Sequence, residues 1–155
     1  MIISQQLDVD RILLFPRADK VRLLGELVHC LAAHGVFDDE RAVLESVLRR
    51  EEQMSTGLGG GLAVPHARMP GIAAIAAALA VVREGMDFGA LDGSPVQMVL
   101  LFISPADDAQ THSAFLSAVA TTFMGEGAIA RLTVAAEDSP AAVLKALRRL
   151  EEGRA

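Results

Sequence analysis

The chain has no tryptophan and no tyrosine, and aromatic residues make up 4% of its 155 positions. Platforms on which nucleic-acid bases stack are therefore poorly supplied. A surplus of positive charge is also missing: 14 Lys and Arg stand against 20 Asp and Glu, a formal net charge of −6. That balance argues against a nucleic-acid or anionic-membrane binder. There is one cysteine, Cys30, so no internal disulfide can form, and within a helical pattern it reads as a small buried hydrophobe. No charged-then-apolar leader opens the chain. The most apolar run, Gly71 to Val82, is Ala-rich and shorter than the ~20 residues of a membrane span. The expected setting is soluble, reduced and cytoplasmic, with no direct membrane insertion. No GxxxxGK[ST] loop and no Gly-x-Ser-x-Gly elbow occur. His29 and His34 do not have i, i+4 spacing, and no Cys or carboxylate completes a metal set with them. His34 reads as a partner for a helix C-terminal dipole. No metal and no cofactor is expected.

Hydrophobic residues make up 52% and charged residues 22%, enough for one domain with a real core. Ile12-Leu13-Leu14-Phe15, stopped by Pro16, predicts a first strand. Asp19 offers an N-cap to a helix carrying Leu23, Leu24, Leu27, Val28 and Leu31 at i, i+3, i+4 spacing, with His34-Gly35 as its end. A second helix starts near Asp38-Asp39, carries Val43, Leu44, Val47 and Leu48, and ends in Arg49-Arg50-Glu51-Glu52. Leu62 to Val64 reads as a short strand. Ile75 to Val82 reads as a buried strand, with helix an open alternative because of its alanines. Asp87 to Pro95 holds turn signals. Val96 to Ile103 is almost continuously apolar, as a central strand covered on both faces should be. A helix beginning at Thr111 or just before it runs through Phe123. A short helical piece follows between Gly125 and Ala135, and Ser139-Pro140 opens a last helix with Val143, Leu144, Leu147 and Leu150 as its buried face. Asp107-Asp108 and Glu151-Glu152 read as solvent-facing. Helices and strands alternate without a linker or a repeat, which predicts one α/β domain whose sheet is covered by helices on both faces.

The chemistry concentrates in Ser55-Thr56-Gly57-Leu58-Gly59-Gly60-Gly61-Leu62-Ala63-Val64-Pro65-His66. The glycines permit turns that other residues would block, and leave N–H groups open to an anion; Ser55, Thr56, Gly57, Gly59, Gly60 and Gly61 form this candidate phosphate loop. His66 follows a fixed-φ proline. A neutral imidazole is a good nucleophile near pH 7, so His66 is a candidate phosphoryl acceptor. The alternative is a strand-end histidine bonded to a backbone carbonyl. His112, near a helix start where the dipole favours an anion, is a candidate donor to the phosphate or else a solvated first-turn histidine. Arg50 can hold phosphate oxygens through several donors, or can simply serve the C-terminal dipole of its own helix.

Arg50-Glu51, Ser55-Thr56-Gly57-Leu58-Gly59 and Gly61-Leu62-Ala63-Val64-Pro65-His66-Ala67 together resemble the type 2 enzyme IIA family of the bacterial phosphotransferase system, the fructose/mannitol/nitrogen-regulatory type. Leu91-Asp92-Gly93-Ser94-Pro95-Val96, the strand to Ile103, and Pro105 with His112 extend the resemblance over nearly the whole chain, residues 1–155. The resemblance implies a mixed, mostly parallel sheet between helices. It also implies a phosphotransferase that takes a phosphoryl group from an HPr-like phosphocarrier onto His66 as a phosphohistidine intermediate. Arg50 and His112 match the positions that support the phosphohistidine, and most family members carry the group on Nε2. The layout is closest to a free-standing nitrogen-regulatory IIA acting on regulated target proteins. A sugar-transport IIA passing phosphate to a separate IIB for fructose- or mannitol-type uptake is one alternative. A phosphorylation-independent regulatory binding module is another. Two positions depart from the family pattern. Gly60 stands where Asn is common, which implies a more flexible loop lacking one side-chain hydrogen bond. Ser113 stands where Leu is common, which implies altered packing beneath His112.

Overall fold

The computed structural model describes residues 1–153. Two short 3-10 helices, Ile3–Gln6 and Val9–Arg11, lead into β1 (Ile12–Phe15), α1 (Lys20–Ala33), α2 (Glu40–Gln53), β2 (Gly57–Gly59), β3 (Leu62–Ala63), β4 (His66–Met69), β5 (Ala76–Met86), β6 (Val96–Pro105), α3 (Ala109–Phe123), α4 (Ala128–Ala135) and α5 (Pro140–Glu152). Four of the five α-helices start on a side-chain cap. Asp19, Asp39, Asp108 and Ser139 accept from the amides of Arg22, Ala42, Thr111 and Ala142, satisfying donors that a helix start leaves open. α4 starts instead on Gly127 in a left-handed conformation.

β6 organises the sheet. β5 pairs with it antiparallel on one side, and β1 joins β5 in parallel. On its other side β3 and then β4 run parallel to it, and β2 closes a hairpin onto β3. Three of the five pairings are parallel, so the sheet is mixed and mostly parallel. β3 and β4 keep the same register against β6, Leu62 opposite Met98 and His66 opposite Phe102. They are one strand interrupted at Val64-Pro65, where a proline has no N–H to give the ladder. Even there the Pro65 carbonyl accepts from the Phe102 amide at 3.1 Å.

The helix-or-strand ambiguity of Ile75 to Val82 resolves as strand. Ala76, Ala78 and Ala80 face the α1–α2 side, and small side chains let those helices approach; Ala77, Leu79 and Val81 face the other side. Tertiary packing overrides the helical propensity of alanine here. One core lies between the sheet and α1–α2, the other between the sheet and α3, α4, α5 and the N-terminal segment. Phe102, Phe115 and Phe123 are fully buried in the second. Truncating one such ring to alanine costs about 3–5 kcal/mol. The acidic pair in α5 is not uniformly solvent-facing, since the Glu151 carboxylate accepts from the Ser4 amide at 2.9 Å and its hydroxyl at 2.7 Å, tying the chain start to α5. Asp108, read as solvent-facing, is the half-buried cap of α3. No single helix among the described residues is long and apolar enough to cross a membrane.

Candidate functional site

Alternation along the paired strands builds the site. Side chains two apart share a face, so His66 and Arg68 on β4, and Phe102 and Ser104 on β6, point to the α3 side. His66 stacks on Phe102 with ring centroids 5.2 Å apart. His112 comes down from the start of α3, 5.0 Å from His66 and 5.1 Å from Phe102. Phe115 supports Phe102 from below at 4.9 Å. The last turn of α2 supplies the opposite wall. The resulting cleft of about 390 Å³ is lined by Ser46, Arg49, Arg50, Gln53, His66, Ala67, Arg68 and His112. A larger groove of about 620 Å³ between α4 and α5 shares no residue with this cleft and contains no histidine.

His66 is buried, and its Nδ1 lies 2.8 Å from the Val64 carbonyl oxygen. A carbonyl can only accept, so Nδ1 carries the proton and Nε2 keeps its lone pair. The bond to a backbone carbonyl, the alternative expected for His66, is present, and it leaves the lone pair of Nε2 unengaged. Burial pushes the His66 pKa below the usual histidine value, partly opposed by the Val64 hydrogen bond, with Arg50 lowering it further. The ring is neutral near pH 7. His112 has its Nδ1 2.6 Å from Ser104 Oγ. Burial, then the neighbouring His66, Arg68 and Arg50, bring its pKa down to about 4.

Arg50 is half-buried in the cleft wall and donates from Nη1 to the Met54 carbonyl at 3.1 Å. One of its five N–H groups thus serves the end of α2, and the guanidinium still faces the histidines. The structure brings His66, His112 and Arg50 to one cleft. It does not bring Ser55, Thr56, Gly57, Gly59, Gly60 or Gly61 to the cleft lining. Three of their amides are already spent: Thr56 on the Glu51 carboxylate, Gly57 on Ser55 Oγ, and Gly60 on Asp92 Oδ2. The glycines form a hairpin, with Gly59, Gly60 and Gly61 all at positive φ. At Gly60 the φ of 64° and the open space around it would admit asparagine, the side chain that best tolerates this region. Asp92 pins the hairpin tip where a loop side chain was expected to be missed.

Ser113 is exposed, so the packing under His112 comes from Phe102 and is unaffected by the missing leucine. His112 itself is the fourth residue of α3, and its amide is already bonded to the Asp108 carbonyl; the expected open amides lie one turn earlier. Three contributors escaped the sequence reading. Arg68 lines the cleft while donating to the Ala106 carbonyl at 2.7 Å, and Ser104 touches His112. Period-2 alternation from His66 and Phe102 would have pointed to both. Glu51 stood only as part of the charged end of the second helix and of the Arg50-Glu51 resemblance. It is buried, accepts from the Thr56 amide and from its hydroxyl at 2.6 Å, and pairs with Lys20 Nζ at 2.8 Å. Lys20 also donates to the Phe88 carbonyl and lies over the Phe88 ring. Buried charges persist when paired in this way. Only the fold shows that partner set.

Carboxylates do come near His34, contrary to the spacing argument. Asp8, Asp10 and His34 place ligand atoms within 4.8 Å of one another, all on the surface. Asp8 accepts from the Asp10 amide and faces Arg11 at 3.8 Å, and His34 donates through Nδ1 to the Cys30 carbonyl at 2.7 Å. That bond is the C-terminal role expected of His34, and Asp8 serves as the cap of the second 3-10 helix.

The model for "Phosphoenolpyruvate-dependent sugar phosphotransferase system, EIIA 2" matches residues 5–149. The chain is 34% identical over 108 residues, 70% of its length, to the fructose-specific EIIABC component of Bacillus subtilis, of which it spans 17%. It is 32% identical over 111 residues to the fructose-specific EIIA component of Haloferax volcanii, covering 72% of each chain. The nitrogen regulatory protein IIA-Ntr from Neisseria meningitidis superposes with a TM-score of 0.80 at 28% identity, over 94% of this chain and 98% of that one. On fold, matched length and sequence together, the chain belongs to the EIIA 2 family of the phosphoenolpyruvate-dependent sugar phosphotransferase system.

Proposed function

We propose that the protein is a cytoplasmic phosphoryl carrier that accepts its group on Nε2 of His66 from an HPr-like phosphocarrier, and that it works as a nitrogen-type regulatory IIA. The observation that carries this reading is the Nδ1 bond to the Val64 carbonyl, which leaves a neutral Nε2 in a cleft walled by Arg50 and Arg68. In the transfer, the Nε2 lone pair forms the new N–P bond as the N–P bond of the donor phosphohistidine breaks. The electron pair of the broken bond returns to the donor ring. Attack is in line, and the protein's part is positioning and charge stabilisation. Arg50, Arg68 and His112 hold the equatorial oxygens. The hairpin residues Ser55 to Gly61 act by shaping the strand that carries His66.

The nitrogen-type reading is supported by the near-complete overlap with IIA-Ntr. The match to fructose-specific components favours a second reading, a sugar-transport IIA that passes the group to a separate IIB protein. Incubation with phosphoenolpyruvate, enzyme I and HPr or its nitrogen-branch counterpart should add the mass of one phosphate, and His66→Ala should abolish the gain. No gain with either phosphocarrier would leave a phosphorylation-independent binding module. Onward transfer to purified IIB proteins separates the sugar-transport reading from the regulatory one.

A further inference from the structure

Ser104 is fully buried on β6, and among the described residues His112 Nδ1, at 2.6 Å, is the one hydrogen-bond partner of its hydroxyl. A hydroxyl has one proton to give and two lone pairs to share. If Ser104 accepted from a protonated Nδ1, its own proton would be left inside the protein with no acceptor. Burying an unsatisfied donor costs about 1–3 kcal/mol. If Ser104 donates, only spare acceptor capacity goes unused. Because burial, then the neighbouring His66, Arg68 and Arg50, keep His112 neutral at physiological pH, its ring carries one proton. That proton can sit on only one of the two nitrogens.

We propose that Ser104 is a positioning residue: its O–H donates to Nδ1 of His112, holds that ring in the Nε2–H tautomer, and so makes the remaining nitrogen a hydrogen-bond donor toward an anion on His66. The last step rests on the phosphoryl-carrier reading of the cleft; the tautomer does not. In the opposite tautomer, Nε2 would present a lone pair to the anion and repel it. Neither imidazole needs a protonated, cationic ring for its part, and the two rings carry their protons on opposite nitrogens.

The first test needs no phosphoryl donor. Long-range ¹H–¹⁵N correlation spectra of the ¹⁵N-labelled, unphosphorylated protein at neutral pH should show His66 protonated at Nδ1 and His112 protonated at Nε2. A His112 ring protonated at Nδ1 would overturn the inference, whatever becomes of the phosphotransfer reading. The second test measures phosphoryl uptake. Ser104→Ala should slow it roughly tenfold, the scale of one hydrogen bond to a charged group, with Ser104→Cys, a weaker donor, falling between. In a His112→Ala background Ser104→Ala should add no further loss. An equal loss with and without His112, or no loss in either, would show that Ser104 acts through packing alone or not at all. If the wild-type protein takes up no phosphoryl group, the carrier reading fails and the spectrum alone decides the tautomer.

Discussion

His66 and His112 lie against the same phenylalanine and open into the same cleft, yet different oxygens hold them. A carbonyl beneath His66 can only accept, so the near nitrogen carries the proton and the far nitrogen keeps its lone pair. The hydroxyl beneath His112 has a proton to give, and so turns the far nitrogen into a donor. Residue type alone does not distinguish the two; the atom behind each ring does. The supports also differ in reach. The Val64 carbonyl hangs on a relay in which the Val64 amide donates to the Thr56 carbonyl, Thr56 is held by Glu51, and Glu51 by Lys20. His112 depends on one buried serine.

The sharpest break of this contrast is substitution of each ring. His66→Ala should remove phosphoryl uptake entirely, whereas His112→Ala should keep it and slow it by about 10²-fold, the cost of losing one preorganised donor; quenched-flow uptake followed by intact mass measures both. Equal loss in the two would erase the division of roles. The supporting relay comes next. Glu51→Gln removes the carboxylate that both Thr56 donors share and should lower unfolding free energy by about 1–3 kcal/mol in urea melts. The same change should disturb the His66 ring signals and leave those of His112 in place, the reverse of Ser104→Ala.

Acid titration separates the rings more gently. The pKa of His112 is held at about 4 and that of His66 is also depressed, both below the unfolded value of about 6.5. Between those limits the unfolded chain binds more protons than the folded one. Stability should therefore fall as pH drops from about 6.5 toward 4; in NMR titrations His112 should stay neutral at pH 6.5, and His66 should titrate below the usual histidine value. The smallest effect is expected at the hairpin tip. Gly60→Asn should leave stability within about 1 kcal/mol of wild type, and Gly60→Val should lower it by about 1–2 kcal/mol, because only the first side chain tolerates a φ of 64°. Thermal melts of the pair would show it.

Much of the architecture was legible in the residues. The run from Val96 to Ile103, the caps at Asp19 and Ser139, and the stripes of α1, α2 and α5 carry their periods openly. The alanines of β5 were ambiguous because alanine suits a helix, and only the helices packed above them explain why they form a strand. At the site, His66, His112 and Arg50 stood out by chemistry and resemblance. Glu51 and Ser104 did not, because their partners lie in elements that only folding brings together. The glycines suggested open amides. Two of the glycine amides are occupied by side chains, Gly57 by Ser55 Oγ and Gly60 at the hairpin tip by Asp92.

The shared register of β3 and β4 against β6 has a consequence for how such a site would communicate. His66 and the Phe102 and Ser104 beneath the rings belong to a buried part of the sheet, and a strand that resumes the same register on both sides of Pro65, with its alternate side chains buried, has no alternative register to slip into. A message written on His66 would therefore travel as a change of sign at the mouth of the cleft, among Arg49, Arg50 and Arg68, with the scaffold silent. A listener would have to recognise potential instead of shape, and raising the ionic strength should garble the message before it unfolds the messenger.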